Sequence, residues 1–201
     1  MAALDEFVLT TELDAVNVLL HTIGEQPVSS LDSAGLTDVA IAKTVLAEQN
    51  RRIQAKGWDF NTDLNYALAL DLNSMAIKPT NALRIDTTDG SPLVERKGKL
   101  WDRSKNTFVL ANAPKVNIVR YFAFEEIPES ARYYITLKAA RVFQKRILGD
   151  DSVEVFTEKD EFEAKADFMD SEQSSAGRNM LKEAELFGMV RGGRNTATIG
   201  F

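Results

Sequence analysis

Glu125-Glu126-Ile127-Pro128-Glu129-Ser130-Ala131-Arg132-Tyr133-Tyr134 opens the helix around which the rest of the chain is organised. Proline is tolerated at a first helical position, where its missing N–H has no partner to lose. Glu129 beside it suits the positive end of the helix dipole. Ala131, Ile135, Ala139, Val142, Phe143 and Ile147 then recur at spacings of three, four and one, which predicts one broad apolar face on a helix reaching about Leu148. Lys138, Arg141 and Lys145 form a basic edge on another side, Arg146 sits in the last turn, and Gly149 can supply the left-handed residue that ends a helix. A strand-like segment, Val116 to Phe122, precedes this helix and an acidic segment follows it. The helix therefore joins a sheet-like middle to a helical tail.

Upstream, Thr11 and Asp14 stand at capping-box spacing, and Leu13, Val16, Leu20 and Ile23 make an apolar stripe that Gly24 and Pro27 close. A second helix is expected from Thr37 to Lys56, with Val39, Ala42, Leu46 and Ile53 on one face and Arg51, Arg52 and Lys56 crowding its end. Gly57 stops it, and Trp58 and Phe60 are expected to pack back over the helix ends. Neither helix is stable alone in water, so the two stripes should pair.

Between residues 59 and 122 the period changes. Tyr66, Leu68, Leu70 and Leu72 alternate with Asn65, Ala67, Ala69 and Asp71, which predicts a half-buried strand. Short strands are expected around Leu83 and Ile85, at 93–96 and 99–102 joined through Lys97-Gly98, at 107–110, and at 116–122. Asp89-Gly90-Ser91-Pro92 marks a turn. Beyond Gly149, Asp150-Asp151-Ser152 predicts another helix start. In that helix Val155, Phe162 and Met169 recur every seven residues as a narrow seam, with Ala166 on the same side. Ser174-Ser175-Ala176-Gly177 interrupts it, a short helix is expected from Asn179 to Phe187, and residues 191–201 carry no helical pattern.

The chain has 201 residues, 44% hydrophobic and 27% charged, the balance of a water-soluble globular protein. No apolar run approaches the roughly 20 residues that span a bilayer, and the amino terminus lacks the basic start and apolar core of a signal peptide. There is no cysteine, hence no thiol chemistry, and the single histidine argues against a zinc site of the usual kind. A net charge of −6 argues against a dedicated nucleic-acid binder.

Few residues offer chemistry. His21 stands near the end of the first helix with no nucleophile or orienting acid in a motif, and reads as structural. A glycosidase-like carboxylate pair is the one enzymatic alternative: Asp102 with Glu125 or Glu126, and Trp101 as a sugar platform. Arg51, Arg52 and Lys56 could contact phosphates. The basic edge of Lys138, Arg141 and Lys145 is either solvated or meets an acidic helix, Glu154, Glu158 and Glu161, in the same chain or a neighbouring copy.

Several ordered stretches resemble the tail tubular protein A family, the head-to-tail adaptors of short-tailed bacteriophages. They are residues 23–31 (IGEQPVSSL), 50–61 (NRRIQAKGWDFN), Trp101-Asp102-Arg103, residues 116–120 (VNIVR), and Ile127-Pro128-Glu129 with Arg132-Tyr133-Tyr134. The resemblance implies a helical bundle with an inserted β-rich part and a dodecameric ring between portal and tail nozzle. It implies a channel for passing duplex DNA, read without sequence recognition, and no cofactor, chemical step or membrane. Such a protein is made in the host cytoplasm and ends in the virion.

The expectation is thus an α+β fold: a helical bundle with an inserted small, mostly antiparallel β-rich subdomain. Residues 1–58 form the first helical pair, 59–124 the insert, 125–190 the remaining helices and 191–201 a partner-binding tail. Subunit contacts are expected at Lys138, Arg141, Lys145, Glu154, Glu158 and Glu161, and portal contacts at Arg191, Arg194, Ile199 and Phe201.

Overall fold

In the computed structural model, which describes residues 9–32, 37–149, 156 and 158–175, helices α1 (Glu12–His21), α2 (Thr37–Gln54), α3 (Glu129–Leu148) and α4 (Glu158–Ser175) enclose one apolar core. Thr11 caps α1 through the expected box: its hydroxyl accepts from Asp14 N–H at 3.1 Å, and its own N–H donates to the Asp14 carboxylate at 3.0 Å. Helix α3 is the hub, packed by α1, α2 and α4. Ala131, Arg132, Tyr134, Ile135, Thr136, Leu137, Ala139, Ala140, Phe143 and Gln144 are all buried, a set that encircles the helix rather than lining one side. Three alanines in it let neighbours approach closely.

The start of α3 is tied down by polar groups. Pro128 is the residue before the first helical one, and the Glu129 carboxylate accepts from the Thr10 N–H at 3.0 Å. The buried Arg132 guanidinium donates to three carbonyls: Ile127 at 2.9 Å, Thr10 at 3.0 Å, and Glu125. One side chain thus pins the entry to α1 against the approach to α3. Gly149 closes the helix in the left-handed region at φ 68°, its N–H on Lys145 O.

Strands β1 (Thr62–Ala67), β2 (Ala82–Thr87) and β5 (Lys115–Arg120) make an antiparallel sheet in the order β1-β5-β2, and β3 (Leu93–Arg96) and β4 (Lys99–Asp102) make a separate hairpin. Lys97 and Gly98 both have positive φ, as a two-residue turn matched to strand twist requires. Leu68, Ala76, Ala82, Leu100, Leu110, Val116 and Ile118 form a second core, distinct from the helical one. The fold is therefore α+β, a helical bundle with a small antiparallel β-rich portion inserted between α2 and α3.

Two carboxamides fasten the place where the chain leaves the bundle and returns to it. Gln54 Nε2 donates to Phe122 O at 2.9 Å and Gln54 Oε1 accepts from Phe122 N–H at 2.9 Å, so a side chain pairs with a peptide as a strand would. Asn61 Nδ2 bridges Gln54 O and Arg120 O, at 2.9 and 2.8 Å, and Asn50 Oδ1 accepts the other Gln54 proton at 2.7 Å. Gly57 lies between them at φ 82°, where an added Cβ would come within 3.0 Å of Val119 Cγ2.

The structure corrects several expectations. The predicted strand at 65–72 is displaced to 62–67, because Asn65 adopts φ 54° and the pairing with β5 bulges between Asp63 and Tyr66. Residues 71–75 then turn about the Asp71 carboxylate, which accepts from Asn73 and Met75 N–H, and Leu72 is fully exposed at the turn. Residues 107–110 make only isolated bridges, at Thr107 and Val109. Helix α2 ends at Gln54 rather than Lys56, and Ile147 is exposed rather than on the buried face of α3. Strand β5 ends at Arg120 rather than Phe122. The expected α4 seam is rotated as well: Phe162 and Met169 are exposed, and Ala164, Phe168 and Glu172 face inward. Phe168 sets that rotation by inserting among Trp58, Phe60 and Tyr134, with ring centroids 4.5, 6.2 and 6.0 Å away. Val155, the start near Asp150 and the helix predicted at 179–187 lie outside the described residues.

Gln54→Leu keeps the bulk of the side chain but strands the Phe122 N–H and C=O inside the protein. It should lower unfolding free energy by about 2–4 kcal/mol, read from urea melts, whereas Asn65→Gly should be neutral or stabilising.

Candidate assembly surface

The basic edge of α3 and the acidic start of α4 do meet, and they meet within one chain. Lys138 Nζ lies 2.6 Å from Glu161 Oε1, Arg141 Nη1 donates to Glu161 Oε2, and Arg141 Nη2 stands 3.7 Å from the exposed Glu158. Lys145 is exposed in the last turn of α3, and Arg146 grips the Glu48 carboxylate of α2 at 2.7 and 3.1 Å. Glu154 lies outside the described residues, as do Arg191, Arg194, Ile199 and Phe201. The sequence motivates the charge pairing; the structure gives Lys138, Arg141 and Glu161 an internal use, as a latch for α4.

A second carboxylate holds the other end of α4. Glu172 is buried and accepts from the Asp59 N–H at 2.7 Å and the Phe60 N–H at 3.4 Å. The two acids are shifted oppositely. Burial pushes Glu161 up, but the Lys138 ammonium and Arg141 guanidinium outweigh it and hold the carboxyl below the usual glutamate range. Burial likewise pushes Glu172 up, and the two backbone donors do not offset it.

The outer surface has three kinds of patch. On α4, Phe162 and Met169 are 70% and 39% exposed, and Met169 and Gln173 border a groove completed by Gly57, Trp58, Asp59 and Glu172. Lys56 precedes Gly57 of that groove, just past the end of α2, and Arg52 of α2 and Lys165 of α4 lie near enough to act on its charge. The Lys56 ammonium is pushed down by burial and then by Lys165, Arg52 and Lys138. On the far side of α4, Glu163, Asp167 and Asp170 are exposed. In the β-rich part Leu72, Ile77 and Val109 are exposed.

The residues considered for catalysis have structural work. The Asp102 carboxylate accepts from the Ser104 hydroxyl at 2.6 Å and from the Ser104 and Lys105 N–H at 2.8 and 3.0 Å, which holds it below the usual aspartate range, opposite to a general acid. Trp101 has Arg96 over its ring at 5.0 Å and Phe108 edge-on at 4.6 Å. The Glu126 carboxylate accepts from the Ala123 N–H at 2.9 Å, and Glu125 Oε1 accepts from the Glu12 N–H at 3.4 Å. His21 is exposed in the last turn of α1, and Arg51 stacks 5.5 Å from the Tyr121 ring centroid. The structure brings Arg52 and Lys56 together with Lys165, a member the sequence reading passed over because it lies more than a hundred residues away. Among the described residues no helix is long and apolar enough to cross a membrane.

The two α4 carboxylates make opposite contributions as pH changes. The stability from Glu161 is present above the usual glutamate pKa and lost as pH falls, whereas that from Glu172 is present at low pH and lost as pH rises. From about pH 4 to about pH 7, Glu172→Gln should therefore gain melting temperature relative to the wild type, and Glu161→Gln should fall further behind it. Curves that stay parallel would contradict this arrangement.

Comparison with known proteins identifies the family. The sequence profile of the family described as tail tubular protein matches residues 13–178, from α1 past the end of α4. The chain is similar to "Tail tubular protein A" of Klebsiella phage KP34, 26% identical over 143 residues that cover 70% of this chain and 76% of that protein. With the match running through every helix and strand described above, the chain belongs to the tail tubular protein family.

Proposed function

We propose that this protein is a ring-forming adaptor that joins the portal to the tail nozzle and forms part of the channel for DNA. The observation that carries this is the family match over residues 13–178, which spans both the helical core and the inserted β-rich part. A structural part of a phage tail needs stable, asymmetric surfaces, and this chain supports the reading with a latched bundle and patches of differing chemistry. The exposed Leu72, Ile77 and Val109 suit the β-rich part, residues 59–124, to apolar contact with the nozzle. Residues 1–58 and 125–190 are assigned to the bundle, and residues 191–201 to the portal through Arg191, Arg194, Ile199 and Phe201. A dodecamer is the ring size the family resemblance implies. The net charge of −6 per copy, multiplied around a ring, keeps duplex DNA from adhering as it passes. Within this reading the exposed Lys145 and Glu158 lie on the surface assigned to subunit contacts, together with Glu154, while Lys138, Arg141 and Glu161 shape the α3–α4 face that a neighbour meets.

Electron microscopy of the purified protein mixed with the portal of the same phage should show rings seated on the portal. Monomers at every concentration, with and without portal, would overturn the adaptor reading. Removal of residues 191–201 should weaken portal binding by at least about tenfold while leaving the melting temperature unchanged.

A further inference from the structure

We propose that Arg52, Lys56 and Lys165 of one copy receive Glu163, Asp167 and Asp170 on the outer face of α4 in the next copy. The contact rests on the ring reading above and names the surfaces that close the ring. Among the described residues no ion pair joins Arg52, Lys56 or Lys165 to a carboxylate. The acids that face them, Glu161 towards Lys56 and Glu48 towards Arg52, already serve Lys138, Arg141 and Arg146. A chain with a net charge of −6 therefore carries a crowded positive site that has no ion pair of its own among the described residues. Across α4, Asp167 and Asp170 likewise have no ion pair, and Glu163 meets only Lys159, 3.4 Å away on the same exposed turn.

The placement of the two patches selects the kind of contact. At about 100° per residue, Lys165 lies roughly 160° around α4 from Glu163 and from Asp167. Patches on opposite sides of one helix cannot both lie in a self-complementary two-fold interface, but they suit head-to-tail contact between identical copies. Phe162 and Met169 flank Lys165 within about 60° on the same side. Their exposed apolar surface would exclude water from around the charges and strengthen their attraction.

The test uses two full-length variants: Arg52→Glu with Lys56→Glu and Lys165→Glu, and Glu163→Lys with Asp167→Lys and Asp170→Lys. Each alone should raise the concentration for half-assembly on the portal by at least about tenfold. An equal mixture should recover wild-type assembly as an alternating ring, because each reversed patch then meets a reversed partner. If the wild type forms rings and each variant does so equally well, or the mixture is no better than its parts, this contact is wrong and the adaptor reading stands. Absence of wild-type rings would overturn both. Circular dichroism checks folding of each variant. Should either triple variant fail to fold, Lys56→Cys with Asp167→Cys gives the same answer in a chain that has no native cysteine. Oxidised rings should yield a ladder of cross-linked oligomers, and rings without a ladder would refute the contact.

Discussion

The Phe122 peptide pairs with both ends of the Gln54 carboxamide, and that pairing fixes where the chain departs from and re-enters the helical core. Every other feature of the junction is built around it. Asn61 ties the carbonyl of Gln54 to that of Arg120, Gly57 lets the backbone turn hard against Val119, and Trp58 folds back to donate to Ile53 O at 2.8 Å. Backbone groups at a chain crossing have no regular ladder to join, so side-chain amides must satisfy them. The same device recurs at the other end of the bundle, where Asn17 exchanges hydrogen bonds with the Val28 peptide at 3.1 and 2.8 Å.

Helix α3 supplies what those amides are anchored to. Its complete encirclement means that α1, α2 and α4 each bury their apolar stripe on the same rod, and Arg132 saturates three carbonyls at the point where the rod begins. Helix α4 differs from the others. It is attached through one aromatic, Phe168, and two carboxylates whose protonation responds oppositely to pH, and much of its outer circumference is charged. This combination is consistent with a helix that both completes a core and offers surfaces to neighbours.

What was legible in the sequence was the chemistry of nearest neighbours. The Thr11–Asp14 box, the Lys97-Gly98 turn and the left-handed Gly149 each follow from local rules, and each is present; of the predicted α3 face, Ala131, Ile135, Ala139 and Phe143 are buried and Ile147 is not. The alternation from Tyr66 to Leu72 misleads because it coincides with a bulge and a turn, where period two no longer describes the backbone. The heptad at Phe162 and Met169 misleads because Phe168, one residue away, finds three aromatic partners that no local pattern announces. Gln49, Asn50 and Gln54 stand along the apolar side of α2, a pattern that signals buried amides, but the Phe122 peptide that Gln54 pairs with lies 68 residues on. The charge match between α3 and α4 was legible in kind. That it is satisfied inside the subunit, while Arg52, Lys56 and Lys165 have no ion pair among the described residues, required the fold.

The two apolar cores share no residue, and the chain passes between them at only two places, both held by the Gln54–Asn61 amides. The insert is in that sense a cassette plugged into a socket. A lineage that must fit a different neighbour can replace everything from β1 to β5 without redesigning the bundle, provided the two strand ends arrive in the same register at the socket. Divergence should then concentrate in the plug, while Asn50, Gln54 and Asn61 stay as they are.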